Sequence, residues 1–275
     1  MDPVVYLSID DVGPSLRYLI RSRSESLFAL RFYGKLREWH SRFGARFNLY
    51  CFPRLADFSI SQVPDSYAQE FRKSGEWLRF GFHGQADVPF LQTRAYQEEF
   101  DLFQGNARRL GMAGTDILRV HCWRAAPEQE VFLQQRGVRV LLSPDEPGLP
   151  YDPGGTWLEN GLEHWRTDVR FEHLTEVTEE TLQIGRKRIA AFTHEWAFDS
   201  CADRIEKALT LYQENGYRFC CTHHDAAHLP ASTAGTGARL RLWQAPIGRA
   251  LPQSEPHGGG PSYCEGTGKD GPGRT

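Results

Sequence analysis

Short apolar runs alternate along this chain with longer stretches in which apolar residues recur at helical spacing. The short runs predict strands at residues 4–9, 46–52, 77–83, 117–121, 138–142, 168–171, 188–193 and 217–221. The longer stretches predict helices, most clearly at residues 26–43, 93–110 and 202–215. Gly44, Gly111 and Gly216 follow these three stretches, where helix C-caps belong.

The alternation of strands and helices predicts parallel strands joined by helical crossovers. About seven or eight such units favour a closed or nearly closed β/α barrel over an open sheet. Residues 143–165 break the rhythm with several prolines and glycines, which predicts a long loop or a hairpin insertion at the rim. Residues 229–275 are rich in Gly, Pro, Ser and Thr and predict a disordered tail, so the folded domain is expected to be residues 1–228.

Length and charge narrow the class of protein. A chain of 275 residues is long enough for one large α/β domain. Its 32 basic and 35 acidic residues give a net charge of -3, so neither nucleic acid nor an anionic membrane is an expected partner. The start, Met1-Asp2-Pro3, lacks a basic or apolar leader, and no apolar run is long enough to span a bilayer, so we expect a cytoplasmic protein. The six cysteines lack paired metal-ligand spacing and are expected to be reduced core residues.

Two adjacent acids, Asp10 and Asp11, follow the first predicted strand. Neighbouring residues on a regular strand point to opposite faces, so both acids reach one site only if the strand ends there and the chain turns at Val12-Gly13-Pro14. Two close carboxylates repel, and a divalent metal, an arginine or a shared proton would compensate them. The alternative is an ordinary solvated turn.

A histidine and another acid follow a second strand. His83 ends the run at residues 77–83, and Asp87 comes four residues later. Together with Asp11 they would offer one imidazole and two carboxylates, a ligand set suited to zinc, iron, manganese or another divalent ion. The alternative for His83 is a hydrogen bond to a backbone carbonyl.

The run at residues 117–121 ends in a third set of polar groups. Arg119 would hold Asp10 ionised and oriented, while His121 would be a further metal ligand or a substrate contact. Trp123 would offer a ring face to a sugar. The alternatives are a surface ion pair for Arg119 and simple packing for Trp123.

The strand at residues 188–193 is followed by His194-Glu195-Trp196. Histidine is a common general acid near neutral pH, so His194 would protonate a leaving amine or alkoxide, with Glu195 orienting it. Trp196 is either a sugar platform or a core residue. In β/α barrels the carboxyl ends of the strands form the active face, so these strand ends are expected to meet.

The order of these pieces resembles the polysaccharide deacetylase superfamily, of the NodB-homology or carbohydrate esterase type. Its first motif, Thr-Phe-Asp-Asp-Gly, corresponds to Ser8-Ile9-Asp10-Asp11-Val12, and its second, His-Ser/Thr-x-x-His, corresponds to residues 83–87 with Asp87 in place of the second histidine. The arginine of the third motif corresponds to Arg119, although His121-Cys122-Trp123 replace the expected prolines, and the late histidine corresponds to His194. The resemblance spans about residues 4–222.

The resemblance implies a deformed (β/α) barrel of about seven strands and a metal-dependent hydrolase that removes an acyl (acetyl) group from a carbohydrate-like substrate. By resemblance Asp10 is the base that activates a metal-bound water, Arg119 steadies it, and His194 is the acid. Asp11, His83 and Asp87 would hold the divalent metal, with zinc expected first and iron, cobalt, nickel or manganese as alternatives. His121, Trp123, Glu195 and Trp196 are the expected substrate contacts.

Two other functions stay open on the sequence. The changed second motif and the missing prolines also suit a non-catalytic barrel that binds a sugar or glycan. A metal hydrolase acting on a small amide or a glycosidic bond would use the same residues. Substrate choice lies in loops such as residues 143–165, which carry no readable code, and the sequence does not fix the oligomeric state.

Overall fold

The computed structural model describes residues 2–84, 92–123 and 125–227. Its strands are β1 (Val4–Val12), β2 (Phe47–Cys51), β3 (Arg54–Leu55), β4 (Phe58–Ser59), β5 (Leu78–Phe82), β6 (Ile117–Leu118), β7 (Val140–Ser143), β8 (Thr156–Glu159), β9 (Leu162–Arg166), β10 (Val169–Arg170), β11 (Arg188–His194) and β12 (Arg218–Cys220). Its helices are α1 (Pro14–Ser22), α2 (Arg31–Phe43), α3 (Ala68–Ser74), α4 (Thr93–Leu110), α5 (Pro127–Gln135), α6 (Phe198–Glu214) and α7 (His223–Ala227). The 3-10 turns that bear on the site are His121–Trp123, Phe171–His173 and Glu195–Ala197.

The barrel is formed by two sheets of mainly parallel strands. The larger has the order β10-β11-β1-β2-β5, with β12 also parallel to β1, and the smaller has the order β6-β7-β9-β8. A parallel bridge between Phe80 and Gly114 joins β5 to the segment before β6. On the other side β9 ends at Arg166 and β10 begins at Val169, so the chain passes directly from the small sheet into the large one. The result is the deformed β/α barrel of about seven strands that was predicted.

The central strand is buried almost throughout, which explains its apolar sequence. Every residue of β1 except Asp11 is buried, as is typical of a parallel strand covered on both faces. The helix α4 covers β5 with aromatic residues at helical spacing, and Phe100 lies edge-on to Phe82 with ring centroids 5.4 Å apart. Truncating a buried phenylalanine of this kind typically costs about 3–5 kcal/mol.

The predicted strands and helices are confirmed, although their ends move. Each of the eight predicted runs overlaps an observed strand, and the predicted helix at residues 93–110 coincides with α4. Gly44 and Gly111 are helix C-caps with φ of 65° and 70°, in the left-handed region that glycine adopts without strain. Cys51, Cys201, Cys220 and Cys221 are buried, as expected of core cysteines.

The structure corrects the expectation for residues 143–165. This segment does form a hairpin, since β8 and β9 are antiparallel, but β9 also pairs in parallel with β7 and is a strand of the barrel. Trp165 is buried and meets Tyr6 of β1 edge-on, with ring centroids 6.4 Å apart. The prolines and glycines before β8 hid this strand from the sequence pattern. The short hairpin β3–β4 was also not predicted.

Two sequence expectations concern residues beyond the described part of the chain. Residues 229–275, for which the sequence predicts a disordered tail, lie outside the described residues, and so the tail and the domain boundary at residue 228 stay predictions. Across residues 2–84, 92–123 and 125–227, no helix has both the length and the apolar character needed to cross a bilayer.

Candidate metal centre and active site

A β-bulge brings the two adjacent acids of β1 to one site. The parallel register with β2 pairs Ile9 with Leu49 and then Val12 with Cys51, so β1 has one residue more than β2 over this stretch. Asp11 takes a φ of 59°, in the left-handed region that costs a non-glycine residue about 1–3 kcal/mol. The predicted strand end at residue 9 was therefore wrong. The strand continues to Val12, and a bulge instead of a turn brings both carboxylates to one site.

Asp10 forms a buried ion pair with Arg119. Its Oδ2 lies 3.0 Å from the Arg119 Nε, and both side chains are about 98% buried. The guanidinium lies against the rings of Phe192 and Trp123, which meet edge to face, with its carbon 3.9 Å and 4.3 Å from their centroids, and it donates to the Thr167 hydroxyl at 3.1 Å. Burial raises the pKa of Asp10, and the positive charge of Arg119 opposes that rise. Asp10 Oδ1 is buried and has no hydrogen-bond partner among the described residues.

Asp11 faces two histidines. Its Oδ1 lies 3.2 Å from Nε2 of His83 and 3.8 Å from Nδ1 of His121, and its Oδ2 accepts a hydrogen bond from the Trp196 indole at 3.1 Å. Burial raises the pKa of Asp11, but the hydrogen bond and charge of a protonated His83 outweigh it, so the net shift is downward. Burial lowers the pKa of His121, helped by neighbouring His83. Phe52 lies against both histidine rings, with centroids 5.1 and 5.2 Å away.

The donor set of this cluster fits a divalent metal. One possible ligand atom from each of Asp11, His83 and His121 lies within 4.8 Å of the other two. Nδ1 of His83 is 2.7 Å from the carbonyl oxygen of Arg119, which only accepts, so Nδ1 carries the hydrogen and neutral His83 presents a lone pair at Nε2. That lone pair and the Asp11 carboxylate are both acceptors at 3.2 Å, an arrangement that a proton or a metal ion between them would stabilise.

His194 is the last residue of β11 and lies beside Asp10, its partner in the β1–β11 register. Nδ1 of His194 hydrogen-bonds to Oε1 of Glu172, which also accepts from the His194 backbone N–H at 2.9 Å. Burial raises the pKa of Glu172, but these hydrogen bonds lower it further than burial raises it. The ring of Trp196 stacks on His194 with centroids 5.0 Å apart and an interplanar angle of 20°, and it is 66% exposed.

Glu195 does not orient His194. Its two carboxylate oxygens accept from the backbone N–H groups of Gly13 and Ser15, at 2.9 and 2.5 Å, where α1 begins. Burial raises the pKa of Glu195 to about 7 although these two hydrogen bonds oppose the rise. Glu195 therefore fastens the end of β11 to the end of β1.

The remaining predicted residues fall in three places. Trp123 and Cys122 have φ of 65° and 58°, a strained turn that brings the Trp123 ring onto Arg119. His121 belongs to the cluster of possible metal ligands, with its Nδ1 3.8 Å from Asp11 Oδ1. Asp87 lies outside the described residues, so its place as a ligand stays a prediction.

Sequence reasoning missed Glu172 and Phe52. Glu172 comes one residue after the predicted strand at 168–171, so the strand-end signal that singled out His83 and His194 was present there too. Phe52 ends the predicted strand at 46–52 and carries no titratable group, so no signal in the sequence separates it from a core residue.

The fold is shared with solved enzymes, although no protein-family model and no curated protein matches the sequence. A peptidoglycan N-acetylglucosamine deacetylase superposes with a TM-score of 0.52 at 12% identity, over 81% of this chain and 87% of that one. A chitin deacetylase from the fungal pathogen Colletotrichum lindemuthianum gives 0.51 at 13%, over 82% and 88%. A 4-alpha-glucanotransferase from Thermococcus litoralis gives 0.56 at 11%, over 82% of this chain and 40% of that one. The chain thus has the deformed barrel fold of the polysaccharide deacetylases, which confirms the resemblance at the level of the fold.

Proposed function

We propose that this chain is a metal-dependent hydrolase of the deacetylase type, which removes an acyl group, acetyl above all, from a carbohydrate-like substrate. The observation that carries the proposal is the placement of the buried Asp10–Arg119 pair beside the cluster of Asp11, His83 and His121. Metal-dependent hydrolysis of an amide or ester uses a carboxylate base next to a set of metal ligands, and both are present here. The shared fold with glycan deacetylases supports the substrate class.

The metal would be held by Asp11 and His83, with His121 as the third ligand supported by the geometry and Asp87 as the alternative. A divalent ion held there would polarise the acyl carbonyl and lower the pKa of water to about 7. Zinc suits one carboxylate and two imidazoles, and iron, cobalt, nickel or manganese would also fit. The hydrogen bond from His83 Nδ1 to the Arg119 carbonyl keeps Nε2 turned toward the Asp11 carboxylate.

Asp10 is the proposed base. Arg119 engages Oδ2, which leaves Oδ1 to take a proton from the attacking water. Because the guanidinium packs on Phe192 and Trp123 and is hydrogen-bonded to Thr167, it holds the carboxylate in one orientation. General-base catalysis of this kind contributes about 10²–10⁴-fold to rate.

His194 is the proposed acid. Glu172 engages Nδ1, so Nε2 is the nitrogen that gives a proton to the departing amine or alcohol. The exposed ring of Trp196 beside it offers a flat apolar face to a sugar ring, whereas Trp123 is engaged with Arg119. This division gives Trp196 the substrate contact and Trp123 a positioning role.

The proposal is tested with Asp10→Asn and Asp11→Asn, beside Asp203→Asn as a control on an exposed acid of α6. Metal content is measured by elemental mass spectrometry and acetate release from N-acetylated chitin oligomers and peptidoglycan fragments. We expect Asp10→Asn to keep the metal and lose turnover, Asp11→Asn to lose both, and the control to keep both. Activity in both site variants would contradict the roles. Absence of metal from the wild type after incubation with zinc, cobalt, nickel, manganese or iron would remove the hydrolase proposal.

A glycan-binding barrel without hydrolysis is the second candidate. Two features favour it: the exposed Trp196 ring, and Asp87 in place of the second histidine of the second motif. It predicts saturable binding of chitin oligomers that a chelator leaves unchanged, with no product from any acetylated substrate. The remaining alternatives are tested by adding small amides and α-glucans to the same screen. Hydrolysis of a glycosidic bond is the alternative that the fold shared with the glucanotransferase supports.

A further inference from the structure

A second cluster of metal-ligating side chains lies where α5 covers the β8–β9 hairpin. Glu130 on α5, Glu159 at the end of β8 and His164 on β9 each offer one possible ligand atom, and these three atoms lie within 4.8 Å of one another. Trp165, the next residue on β9, packs against Tyr6 of the central strand. Because neighbouring strand residues point to opposite faces, His164 faces the helix side of the barrel, apart from the candidate active site.

His164 is a buried imidazole with one nitrogen unsatisfied. The residue is 4% exposed, and Nδ1 is 3.1 Å from the Ser143 hydroxyl. Nε2 is buried without a hydrogen-bond partner among the described residues. The Trp157 ring stacks on the imidazole with centroids 4.3 Å apart and an interplanar angle of 10°, so the ring is held in place. A buried polar nitrogen without a partner is destabilising, and a bound ligand would remove that cost.

The two carboxylates approach the cluster from different elements. Glu130 is 7% exposed, and its Oε2 accepts a hydrogen bond from the Asn160 amide at 2.7 Å. Asn160 sits in the turn between β8 and β9 with a φ of 48°, so the hairpin turn itself is arranged around Glu130. Glu159 is exposed, and its Oε2 accepts from the Trp157 indole at 3.3 Å. Two carboxylates this close repel unless a proton or a cation lies between them.

We propose that Glu130, Glu159 and His164 bind a second divalent cation, a zinc ion or another first-row transition metal, which ties α5 to the β8–β9 hairpin. One imidazole and two carboxylates form a donor set for such ions, whereas calcium and magnesium prefer oxygen ligands alone. Binding requires that Nδ1 of His164 donate to the Ser143 hydroxyl, which leaves the Nε2 lone pair for the metal. Metal-ligating histidines almost always donate their other ring N–H to a neighbouring acceptor, and the Ser143 hydroxyl oxygen would be that acceptor here.

The test compares zinc stoichiometry in matched variants of the whole chain. Protein stripped with chelator is titrated with zinc chloride, and bound metal is measured by equilibrium dialysis and elemental mass spectrometry. Glu159→Gln removes a ligand from an exposed position, and Glu128→Gln removes an exposed acid of α5 that lies outside the cluster. We expect Glu159→Gln to bind one zinc fewer per chain than both the wild type and Glu128→Gln. Glu159→His supplies a nitrogen ligand in place of the carboxylate and is expected to keep the zinc.

The comparison separates this site from the candidate active site. Asp11→Asn is expected to lose one zinc independently of Glu159→Gln, so the double variant loses two. A failure of Asp11→Asn to lose zinc counts against the proposed function alone. Equal zinc binding by Glu159→Gln and Glu128→Gln overturns the second site, and the cluster then holds a shared proton instead.

Discussion

Arg119 and His83 are joined by a hydrogen bond in which His83 Nδ1 donates to the Arg119 carbonyl oxygen at 2.7 Å. The guanidinium of the same arginine pairs with Asp10 at 3.0 Å. One residue therefore orients a proposed metal ligand through its backbone and the proposed base through its side chain. The two functions are separable, because substitution of the side chain leaves the carbonyl in place.

Arg119→Met is expected to destabilise the fold and abolish turnover while the metal stays bound. The substitution leaves Asp10 buried without its cation, a change that typically costs about 3–5 kcal/mol of unfolding free energy. The His83 hydrogen bond to the backbone at position 119 is unaffected, so the ligand set persists. Urea denaturation and elemental mass spectrometry measure the two effects.

The double variant Asp10→Asn with Arg119→Met tests whether the unpaired charge of Asp10 causes the loss of stability. It removes both charges, so it should be more stable than Arg119→Met alone. If the double variant were less stable than Arg119→Met, the loss would come from packing against Phe192 and Trp123 and not from an unpaired charge.

The third metal ligand is decided by His121→Ala and Asp87→Ala. Nδ1 of His121 lies 3.8 Å from Asp11 Oδ1, within the cluster, so we expect His121→Ala to weaken zinc binding by more than the 10–100-fold typical of losing an indirect support. Asp87→Ala should leave the affinity unchanged. Competition with a chromophoric zinc chelator gives both constants, and the reverse result would make Asp87 the ligand, as the motif spacing suggested.

Glu172→Gln is expected to lower kcat while KM changes little. The carboxylate holds His194 through Nδ1 and through the backbone N–H, and a neutral amide supports the wrong tautomer as readily as the right one. A loss of about 10²–10⁴-fold in kcat corresponds to losing an oriented general acid. Steady-state kinetics on an acetylated oligomer measure it, with the exposed Glu176→Gln as control. An unchanged kcat would show that His194 needs no orienting partner.

The sequence predicted the barrel, and the grouping of several candidate site residues at one end of it, because both follow from strand ends. Asp10, His83 and His194 each come at the end of an apolar run. Because the carboxyl ends of parallel strands lie at the same edge of a sheet, these residues are placed there independently of the loop conformations. The fit of α4 to residues 93–110 has a similar cause, since an amphipathic stripe and a following glycine are both local signals.

What the sequence could not predict depends on tertiary contacts. The bulge at Asp11 arises from the register between β1 and β2, and a register is a property of two strands together. Glu195 was expected to turn toward the adjacent His194, but the N-terminal N–H groups of α1 lie within its reach and compete for it. Trp165 identifies β9 as a barrel strand only once Tyr6 is seen opposite it.

We expect Glu195 to make the stability of the fold depend on pH. Burial raises its pKa to about 7 in the folded protein, above the 4.5 that is ordinary for glutamate. Below about pH 4.5 the carboxyl is protonated in both states. Between that pH and 7 the folded state holds a proton that the unfolded state releases, so the free energy of unfolding falls as pH rises, and the loss is complete above 7. The full effect is about 3 kcal/mol, an upper bound because the side chain is only partly buried.

Glu195→Gln removes this titration, so its unfolding free energy should fall less than that of the wild type between pH 4.5 and 7. Urea denaturation across this range, with chelator present, measures the difference between the two slopes, and other titrating groups contribute equally to both proteins. Glu98→Gln, an exposed acid of α4, should keep the wild-type slope. Parallel curves for Glu195→Gln and the wild type would mean that the Gly13 and Ser15 N–H groups keep Glu195 ionised throughout. In that case its role at the start of α1 is that of a charged cap.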